Sequence, residues 1–432
     1  MSLPPGPRTP APLNALRYVR DPLGLFPRLR RRHGDVFRVS FPGYKDIVYL
    51  ADPVLVRELF TGDPARLHAG EANATVLEPA VGPASVLVLD DARHLEERKL
   101  LLPAFHGRAL DGHRAVFAEA AARDLATWPV GRPFALHEHM RSITLEVILR
   151  AVFGVRDPAR LARASVVIGA FSKRSDALNL PGFLRRDLGR RSPWARFLRA
   201  RAALDAFVRD ELALRRADPE AETHDDVLSL LLRARFDDGR ALTDDELRDE
   251  LVTVVGAGHE TTATALTWAL ERLMRHPAAL DRLRATLAEG DTAYLDAVIR
   301  ETLRVRPVIA DVGRLLKAPL EIAGYRLPEG TMLLASITGI HFREDLYPDP
   351  WAFRPERFLE GQPSTYMWIP FGGGVRRCLG AAFAQEEMRV VLREIVARAD
   401  LRPDGAADER PRLRNVTLTP HRGGRAVLTA WA

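Results

Sequence analysis

The chain has 432 residues, 47% of them hydrophobic and 28% charged, and 63 basic against 57 acidic residues give a formal net charge of +6. This composition is that of a globular protein with a large core, and a single cysteine excludes an intrachain disulfide and the disulfide-rich secreted class. Arginines are interleaved with acids along the chain, which argues against a nucleic-acid-binding surface. Residues 1–10 contain no apolar stretch of signal or anchor length, so we expect a cytoplasmic protein without a membrane anchor.

The first half of the chain shows strand signals followed by helical periodicity. Asp35–Val39 and Lys45–Leu50, joined through a Pro-Gly pair, predict a β-hairpin. Leu67–Asp90 lacks a period and contains several glycines and prolines, so it predicts a long loop of the kind that is often functional. Helical periodicity then dominates from Asp91 to Arg235, with a break around Asn179–Gly182.

A long helix is predicted to follow. Thr243–Glu246 reads Thr-Asp-Asp-Glu, a capping box, and no proline occurs after it until Pro277. About thirty helical residues would span roughly 45 Å. The centre, Leu251–Leu270, is apolar on most faces and is therefore expected to be buried, but its polar middle excludes a membrane span.

The last third mixes a helix with short strands. A helix is expected over Tyr294–Val305, and the segment 347–358 is expected to be irregular because it is rich in proline. Strand-like runs occur at Leu320–Ile322, Met332–Ile337, Leu413–Leu418 and Arg425–Thr429. Helix therefore outweighs sheet. No linker divides the chain, which predicts a proline-containing segment with a first helix at residues 1–34 and a single domain at residues 35–432.

The most informative segment surrounds the cysteine and reads FGGGVRRCLG at Phe371–Gly380. Three successive glycines let a backbone approach a large flat ligand closely. Arg376 and Arg377 favour the thiolate form of Cys378, as does the helical pattern that begins after it. Such a thiolate can ligate one haem iron. The other interpretation of these residues is a buried structural cysteine.

This segment resembles the haem-ligand loop of the cytochromes P450, Phe-x-x-Gly-x-Arg-x-Cys-x-Gly. Phe371, Gly374, Arg376, Cys378 and Gly380 fill its defined positions. The resemblance implies the P450 fold, a mainly α (α+β) helical prism with small β-sheets around a buried haem b, iron protoporphyrin IX. It also implies Cys378 as the axial ligand of the iron and the other four residues as part of the cofactor site.

A second constellation consists of charges. Glu301 and Arg304 lie three residues apart, on one face of an apolar helix. Taken alone, such a pair is usually a solvated surface salt bridge. Arg357, in the segment 353–358, offers a third charge. The pair resembles the Glu-x-x-Arg of the P450s and the segment resembles their meander motif, which implies a buried ion-pair cluster that holds the cysteine loop.

A third constellation, Ala257–Thr262, lies midway along the long predicted helix. From the residues alone it could be a helix kink with a polar patch. It resembles the oxygen-binding segment of the P450s, which implies that Ala257 and Gly258 border the haem. Thr261 would then hydrogen-bond dioxygen or a neighbouring water, and Glu260 would relay protons to it. The sequence does not decide whether His259 shares that role or faces outward.

Further residues match the family's haem-propionate ligands. His94 and Arg98 stand four apart at a predicted helix start, a pattern that by itself is usually a solvated helical face. In the P450s such a pair binds the propionates, and Arg314 and Arg376 match two further propionate-binding arginines. Arginine suits carboxylates because it can donate two parallel hydrogen bonds.

The resemblance covers residues 35–429 and implies a monooxygenase acting with O2 on a hydrophobic small molecule such as a terpenoid, a fatty acid or a steroid-like compound. No flavin or iron–sulfur motif is visible, so electrons would come from an external acidic ferredoxin or flavodoxin, docking on a basic face that includes Arg377 and Arg93. The alternatives are a peroxide-driven or rearranging P450 and a haem-based sensor or carrier. A monomer is expected. The pocket is expected to be lined by Glu71–Leu87, Val166–Phe183, Val254–Ala257, Val308–Ile309 and Val416–Thr419.

Overall fold

The computed structural model describes residues 3–180, 182–405 and 407–431. Contacts between Cα atoms divide the chain into two compact units. Unit 1 consists of Met1–His68, Ala121–Arg141 and Thr261–Ala432, and unit 2 consists of Ala69–Ala120 and Ser142–Glu260. The single domain over residues 35–432 stays a prediction.

Helices make up most of the regular structure, as the sequence predicts. In chain order they are α1 (Ala11–Arg20), α2 (Leu25–His33), α3 (Pro53–Thr61), α4 (Ala69–Val81), α5 (Asp91–Leu101), α6 (Arg108–Leu125), α7 (Leu136–Phe153), α8 (Pro158–Arg174), α9 (Pro193–Arg216), α10 (Val227–Arg233), α11 (Asp244–Arg275), α12 (Pro277–Ala288), α13 (Ala293–Val305), α14 (Ile337–His341), α15 (Arg357–Glu360) and α16 (Ala381–Arg398). Short 3₁₀ helices lie at Pro64–Arg66, Leu102–Phe105, Ser175–Asn179, Gly182–Leu184, Ala221–Thr223 and Gly374–Arg376. The predicted break at Asn179–Gly182 falls between two of these, with Pro181 outside the described residues.

The strands are short and, within the described part of the chain, all lie in unit 1. They are β1 (Val36–Phe41), β2 (Tyr44–Leu50), β3 (Leu67–His68), β4 (Pro133–Ala135), β5 (Asp311–Leu316), β6 (Leu320–Ile322), β7 (Tyr325–Leu327), β8 (Met332–Ser336), β9 (Ala399–Pro403), β10 (Pro411–Arg414), β11 (Thr417–Pro420) and β12 (Arg425–Trp431). They form a five-stranded sheet in the order β1-β2-β8-β5-β3, a three-stranded sheet β4-β12-β9, and the pairs β6-β7 and β10-β11. The predicted β1–β2 hairpin is confirmed.

The five-stranded sheet separates two apolar clusters, because successive side chains of a strand point to opposite faces. Val48 and Leu50 are buried on one face with Phe60 of α3. Ile47 and Tyr49 are buried on the other face with Phe26 of α2. The sheet thereby fixes α3, whose last residues contact the segment that carries the cysteine.

Strand β5 was not predicted. Its sequence is Asp-Val-Gly-Arg-Leu-Leu, and only Val312 is a residue type that favours strands strongly. It is nevertheless paired along one edge with β8 and at its end with β3. Pairing with two neighbours overrides the weak local signal, and the consequence is a fixed position for Arg314 in the middle of a sheet.

The prediction of a long loop over Leu67–Asp90 is wrong for most of its length, since residues 69–81 form helix α4. The N-terminal amides of Gly70 and Glu71 donate to the two carboxylate oxygens of Asp90, each at 2.8 Å. A carboxylate at this position caps the helix and suits its dipole. The cap comes from about twenty residues further along the chain, so no local capping signal precedes the helix.

Proline within α4 also has a structural explanation. Pro79 has no N–H and leaves the carbonyl of Thr75 without its helical partner. Arg185 donates from Nη1 to that carbonyl at 2.6 Å. The same guanidinium donates from Nε to the carbonyl of Leu180 and from Nη2 to that of Leu178. Arg185 therefore joins α4 to the segment 178–180 within unit 2, and its role could not be read from the sequence.

The predicted long helix is confirmed as α11, with 32 residues. Its capping box is formed: the Thr243 amide donates to the Glu246 carboxylate at 2.7 Å, and the Glu246 amide donates to the Thr243 hydroxyl at 3.3 Å. Among the described residues, no helix combines the length and the apolar character that crossing a membrane would need.

Residues 1–34 form two helices, α1 and α2, where the sequence analysis expected a first helix. Leu25, Phe26 and Leu29 of α2 are buried against Phe37 and Tyr49 of the sheet. The Phe26 and Tyr49 rings stack with their centroids 4.4 Å apart. This segment is thus part of the packed core of unit 1.

Candidate active site

The cysteine loop of unit 1 is closed by its own backbone. The amide of Gly372 donates to the carbonyl of Ile369 at 3.0 Å, and the amide of Arg377 donates to that of Gly374 at 3.1 Å. The amide of Cys378 donates to the carbonyl of Phe371 at 3.0 Å. These bonds fix the backbone of Cys378 without involving its sulfur.

Gly374 shows why the loop needs glycine. Its φ is +64°, in the region that disfavours side chains, and an added Cβ would lie 1.9 Å from the carbonyl oxygen of Phe60. The loop therefore lies directly against the end of α3, which is itself fixed by the sheet. Helix α16 begins at Ala381, so its N-terminus lies three residues beyond Cys378. A helix N-terminus stabilises negative charge, and a thiolate is favoured there.

The structure places the other loop residues as follows. Phe371 is half-buried and packs edge-on against Trp368, with ring centroids 6.0 Å apart. Arg376 is half-buried, whereas Arg377 and Cys378 are exposed. The alternative of a buried structural cysteine is therefore not supported. The exposed sulfur stands next to two guanidinium-bearing residues in sequence.

The three charges predicted to cluster do meet in unit 1. Arg304 donates from Nε and Nη2 to the two carboxylate oxygens of Glu301, at 2.7 and 2.8 Å. Arg357 donates from Nε to the same carboxylate at 3.0 Å. The side chains of Glu301 and Arg304 are 0% exposed, and the Glu301 carboxylate also accepts from the Arg354 amide at 2.9 Å. This is a desolvated, fully bonded ion pair, unlike a surface salt bridge.

The Arg304 guanidinium uses all five of its N–H groups. Besides the two bonds to Glu301, Nη1 donates to the carbonyls of His341 and Pro350 at 2.8 and 2.7 Å, and Nη2 donates to that of Ala352 at 3.1 Å. Five donors in a fixed geometry are the most that arginine offers. The cluster therefore anchors α13 to the irregular segment 350–357.

His341 connects this cluster to the cysteine loop. Its Nδ1 bonds the carbonyl of Arg304 at 3.2 Å, and the amide of Ile369 donates to its Nε2 at 3.1 Å. Nε2 must accept, so Nδ1 carries the proton. Burial and the neighbouring Arg304 charge lower the pKa of His341 to about 3, so it stays neutral. Because Ile369 accepts from Gly372 at the loop's start, hydrogen bonds run unbroken from the ion pair to the loop.

Arg314 lies in the middle of β5 and is buried. Its guanidinium stands 5.5 Å from the centroid of the Phe60 ring, and its Nη1 donates to the carbonyl of Gly313 at 2.8 Å. Phe60 is thus shared by Arg314 and by the glycines of the cysteine loop. The predicted propionate ligand Arg314 and the predicted iron ligand loop are placed around one aromatic ring of unit 1.

On α11, the segment Ala257–Glu260 belongs to unit 2. Gly256 and Ala257 are exposed, although buried residues precede and follow them on the helix. Gly258 faces α7, since an added Cβ would lie 2.7 Å from Cδ1 of Ile148. The room made by Gly258 is thus needed by α7, whereas Gly256 and Ala257 present the small accessible face.

His259 is buried within unit 2, so the possibility that it faces outward is excluded. The Thr144 hydroxyl of α7 donates to the carbonyl of His259 and contacts its Nδ1, both at 3.0 Å. A hydroxyl has one proton to donate, so Nδ1 is the donor of the second bond. Ser172 of α8 donates to the Glu260 carboxylate at 3.2 Å. Neither hydroxyl had a sequence signal, because both lie on other helices.

Thr261 is the next residue of α11 and opens the last segment of unit 1. Its side chain is half-buried, like that of Glu260. The helical position of each is fixed by α11, which turns by 100° per residue, so adjacent side chains point in different directions. Glu260 and Thr261 are therefore adjacent on the helix surface, and their side chains point in different directions.

His94 and Arg98 lie four residues apart on α5 of unit 2. His94 is buried and Arg98 is half-buried. The spacing places both side chains on one face of the helix. The interpretation of a fully solvated face is therefore not supported. Arg93, on the same helix, donates to the carboxylates of Glu97 and Glu246.

The pocket-lining segments expected from the sequence are connected within each unit. In unit 1, the amide of Leu418 donates to the carbonyl of Val308 at 2.8 Å. In unit 2, α11 holds the segment 82–86: the amide of Ala84 donates to Asp249 at 2.9 Å, and the amide of Val86 donates to Glu250 at 2.7 Å. In the segment Val166–Phe183, Pro181 and the side chain of Phe183 lie outside the described residues.

Two buried carboxyl groups of unit 2 share this region. Glu97 and Glu250 are both 0% exposed, and one oxygen of each has no hydrogen-bond partner. Burial raises the pKa of Glu97 to about 7, and the charge of Glu246 adds to the effect. Burial raises the pKa of Glu250 well above its ordinary value, and the nearby charges of Glu97 and Asp249 add to it. At a pH between the ordinary value of 4.5 and the raised values, the two acids therefore keep protons in the folded state that an unfolded chain would release.

We expect Glu250→Gln to remove part of the pH dependence of stability. A raised folded-state pKa stabilises the fold below the unfolded pKa of 4.5, and that stability is lost as the pH rises through the folded value. Glutamine keeps the acceptor for Val86 and does not titrate. The melting temperature of the variant should therefore rise relative to that of the wild type as the pH is raised above about 5. Glu96→Gln, at an exposed acid of α5 next to Glu97, is the control, and its melting temperature should change with pH as that of the wild type does. Parallel curves for Glu250→Gln would contradict the assignment.

The residues present fit a planar iron cofactor with acidic side groups. Unit 1 supplies one exposed sulfur at a helix N-terminus, together with Arg314 and Arg376, and guanidinium groups suit carboxylates. Within unit 2, Gly256 and Ala257 form a small exposed face of α11. A zinc or iron–sulfur site is excluded as the use of this sulfur, because those sites need more cysteines or a cluster of ligands.

Comparison with known proteins agrees with this chemistry. The family model described as Cytochrome P450 matches residues 4–425. The chain is 45% identical over 442 residues to cytochrome P450 135B1 of Mycobacterium tuberculosis, covering 100% of this chain and 92% of that protein. It is 40% identical over 423 residues to cytochrome P450 135A1 of the same organism, covering 98% and 94%. Among solved structures, cyanobacterial CYP120A1 with bound retinoic acid matches with a TM-score of 0.86 and 25% identity, covering 99% of this chain and 100% of that chain.

Proposed function

The chain belongs to the cytochrome P450 family, and from that premise we propose that it inserts one oxygen atom of O2 into a hydrophobic small molecule of the terpenoid, fatty-acid or steroid type. Family membership makes it a haem-thiolate monooxygenase with the P450 fold, as predicted. The observation that carries the proposal is the exposed Cys378 on a backbone-closed glycine loop before α16.

The cofactor is proposed to be haem b. Attachment of a c-type haem needs two cysteines in a Cys-x-x-Cys-His segment, and the chain has one cysteine. When bound, haem supplies the activation of O2 and the transfer of oxygen, and a cysteine ligand favours O–O cleavage. Cys378 would hold the iron, with Phe371, Gly374 and Gly380 shaping the loop. His94, Arg98, Arg314 and Arg376 would bind the propionates, and Ala257 would border the ring, whereas Gly258 makes room for α7.

Proton supply is proposed to rest on Glu260 and Thr261. O–O cleavage consumes protons, and a carboxyl group beside a hydroxyl can bring them from solvent to the reacting oxygen. Ser172 holds the Glu260 carboxylate at 3.2 Å. Thr144 fixes His259 with its proton on Nδ1. The role of His259 is therefore proposed to be support of α11 within unit 2 and not direct proton transfer.

The substrate is proposed to be extended and apolar. CYP120A1 is described with retinoic acid, an isoprenoid with a long apolar chain. In this chain, Val166 of unit 2 and Val416 of unit 1 are exposed, each in a segment that the sequence predicts to line a pocket. Exposed valines in segments of this kind suit an apolar ligand. A difference-spectrum screen with retinoids, fatty acids and steroids tests this, and ligands of another class that shift the haem spectrum more strongly would contradict it.

The electron donor is proposed to be an external acidic ferredoxin or flavodoxin. Arg377 is exposed beside Cys378 and would contribute to a basic docking face. Arg93 is a weaker contributor than the sequence implied, because its guanidinium already bonds two glutamates and lies over the Phe236 ring. The cytoplasmic location and the monomeric state stay predictions.

Turnover distinguishes this function from the two alternatives. NADH consumption with product formation, using a ferredoxin and its reductase, is the expected result. Product with hydrogen peroxide alone would indicate a peroxide-driven enzyme. Binding of CO or NO without product from any tested substrate would indicate a sensor or carrier.

We expect Thr261→Ala to keep haem content and substrate affinity but to divert electrons into hydrogen peroxide, because the hydroxyl that places the proton is lost. Glu260→Gln should instead slow turnover, because the proton source is lost while its shape is kept. Ser172→Ala should also slow turnover, by less than Glu260→Gln does. Product formed per NADH consumed is the measurement, with Thr262→Ala as the matched control. Unaltered coupling in Thr261→Ala would remove its assigned role.

A further inference from the structure

The net positive charge of the chain lies in its first 34 residues. Residues 1–34 contain seven arginines and one aspartate, a net charge of +6, which equals the net charge of the whole chain. Residues 35–432 therefore carry as many acids as bases. The interleaving of arginines with acids described from the sequence does not hold for this segment. A charge separated in this way produces a local field, which a well-mixed charge does not.

Helix α1, within this segment, has its apolar face outward. Leu13, Leu16 and Val19 are 49%, 43% and 57% exposed. Their spacing of three residues places them on one side of the helix. The polar Asn14 is 2% exposed instead. A helix at the surface of a protein in water usually has the opposite arrangement, with apolar residues inside.

The orientation of α1 is fixed by its buried side. Nδ2 of Asn14 donates to the carbonyls of Thr9 and Ser40, both at 3.1 Å. The Tyr18 ring packs against Phe26 and Phe41, with centroids 5.4 and 6.0 Å away. Rotating the helix to bury its apolar face would break both hydrogen bonds of the Asn14 side chain and this aromatic packing. These contacts hold the outer face of α1, defined as Leu13, Leu16 and Val19, at the surface of unit 1.

Arginines without ion pairs accompany this face. Among the described residues, Arg8, Arg17 and Arg20 form no salt bridge, and all three are exposed. No acid occurs between residues 1 and 20, and the first one, Asp21, is already bonded to Arg28. An exposed apolar face with unneutralised arginines is the chemistry of helices that lie at an anionic lipid surface.

We propose that the outer face of α1 docks this protein on a lipid surface with anionic headgroups. Leu13, Leu16 and Val19 would enter the boundary between headgroups and acyl chains, and Arg8, Arg17 and Arg20 would contact phosphate groups. A second copy of the chain is the less suitable occupant. A two-fold contact would place identical arginine-rich surfaces against each other. The attachment is peripheral, through one helix lying at the surface, and it does not depend on the proposed substrate.

Vesicle flotation with the haem-loaded full chain tests this. The wild type is expected to float with vesicles of equal parts phosphatidylglycerol and phosphatidylcholine, and to stay unbound with phosphatidylcholine alone. Added salt should release it, because the arginine contribution is screened. The triple variant L13Q/L16Q/V19Q should bind at least tenfold less. The double variant R17Q/R20Q should bind several-fold less and lose most of the salt dependence.

The matched control is the double variant L198Q/L214Q, which removes exposed apolar side chains elsewhere and should bind like the wild type. All substituted residues are exposed, so circular dichroism and the CO-difference spectrum should stay unchanged. Absence of wild-type binding, or equal binding of the triple variant, would overturn the proposal. So would equal binding to neutral vesicles. A wild-type dimer that the triple variant converts to a monomer in light scattering would assign the face to a second copy and overturn it as well.

Discussion

Cys378→Ser is expected to remove the red-shifted Soret band of the reduced CO complex, which reports a thiolate ligand. A serine hydroxyl does not ionise near neutral pH, so it cannot supply the anionic ligand that the thiolate provides. No second thiol exists in the chain to replace it. The fold should survive, because the amide of Cys378 bonds the carbonyl of Phe371 whichever side chain is present.

The measurement is the reduced CO-difference spectrum beside haem content and a far-UV circular dichroism melt. Val375→Ala is the matched control, since Val375 is exposed in the same loop and supplies no ligand atom. It should keep the thiolate band. Retention of that band in Cys378→Ser would mean that the iron ligand is misassigned. Loss of both the band and the circular dichroism signal would mean that the sulfur is needed for folding.

Features that depend on local sequence were predictable. The capping box at Thr243–Glu246 and the absence of proline before Pro277 located α11. The Pro-Gly pair between two strand-like runs located the β1–β2 hairpin. The spacing of Phe371, Gly374 and Cys378 pointed to the cysteine loop. Each of these signals is contained within a few residues, where propensity and spacing act directly.

Features that depend on distant partners were not predictable. Asp90 caps α4 from about twenty residues away, and Arg185 bonds the carbonyl that Pro79 leaves without a helical partner. His341 connects Arg304 to the cysteine loop, although 37 residues separate it from Arg304. One sequence cannot show which separated residues come together. A histidine in an apolar stretch has no spacing that identifies its two backbone partners.

The outer face of α1 illustrates another limit. Its pattern of apolar and polar residues is helical, and a helical pattern is ordinarily interpreted with the apolar side inward. Only the burial of Asn14 and the exposure of Leu13, Leu16 and Val19 show the reverse. The direction in which the apolar face of α1 points depends on what the rest of unit 1 offers for packing.

Glu301→Ala is expected to be the most destabilising substitution in the chain's ion-pair cluster. It leaves the Arg304 guanidinium buried at 0% exposure without its counter-charge and removes the acceptor of Arg357 and of the Arg354 amide. Removing one member of a buried ion pair costs about 3–5 kcal/mol. Arg357→Ala should cost less, because the pair between Glu301 and Arg304 remains and Arg357 otherwise bonds backbone carbonyls near the surface.

The free energy of unfolding in urea and the haem content of purified protein measure this order. Arg354→Ala is the control, since its side chain forms an exposed pair with Glu360 while its backbone amide still bonds Glu301. Exposed pairs contribute about 0–1 kcal/mol, so this variant should resemble the wild type. Glu301→Ala should lose haem as well as stability, because the cluster is joined through His341 to Ile369 and the loop that carries Cys378. A large loss of stability with full haem content would show that the cluster supports α13 without holding the cysteine loop. Normal haem and unchanged unfolding in both cluster variants would contradict the whole assignment.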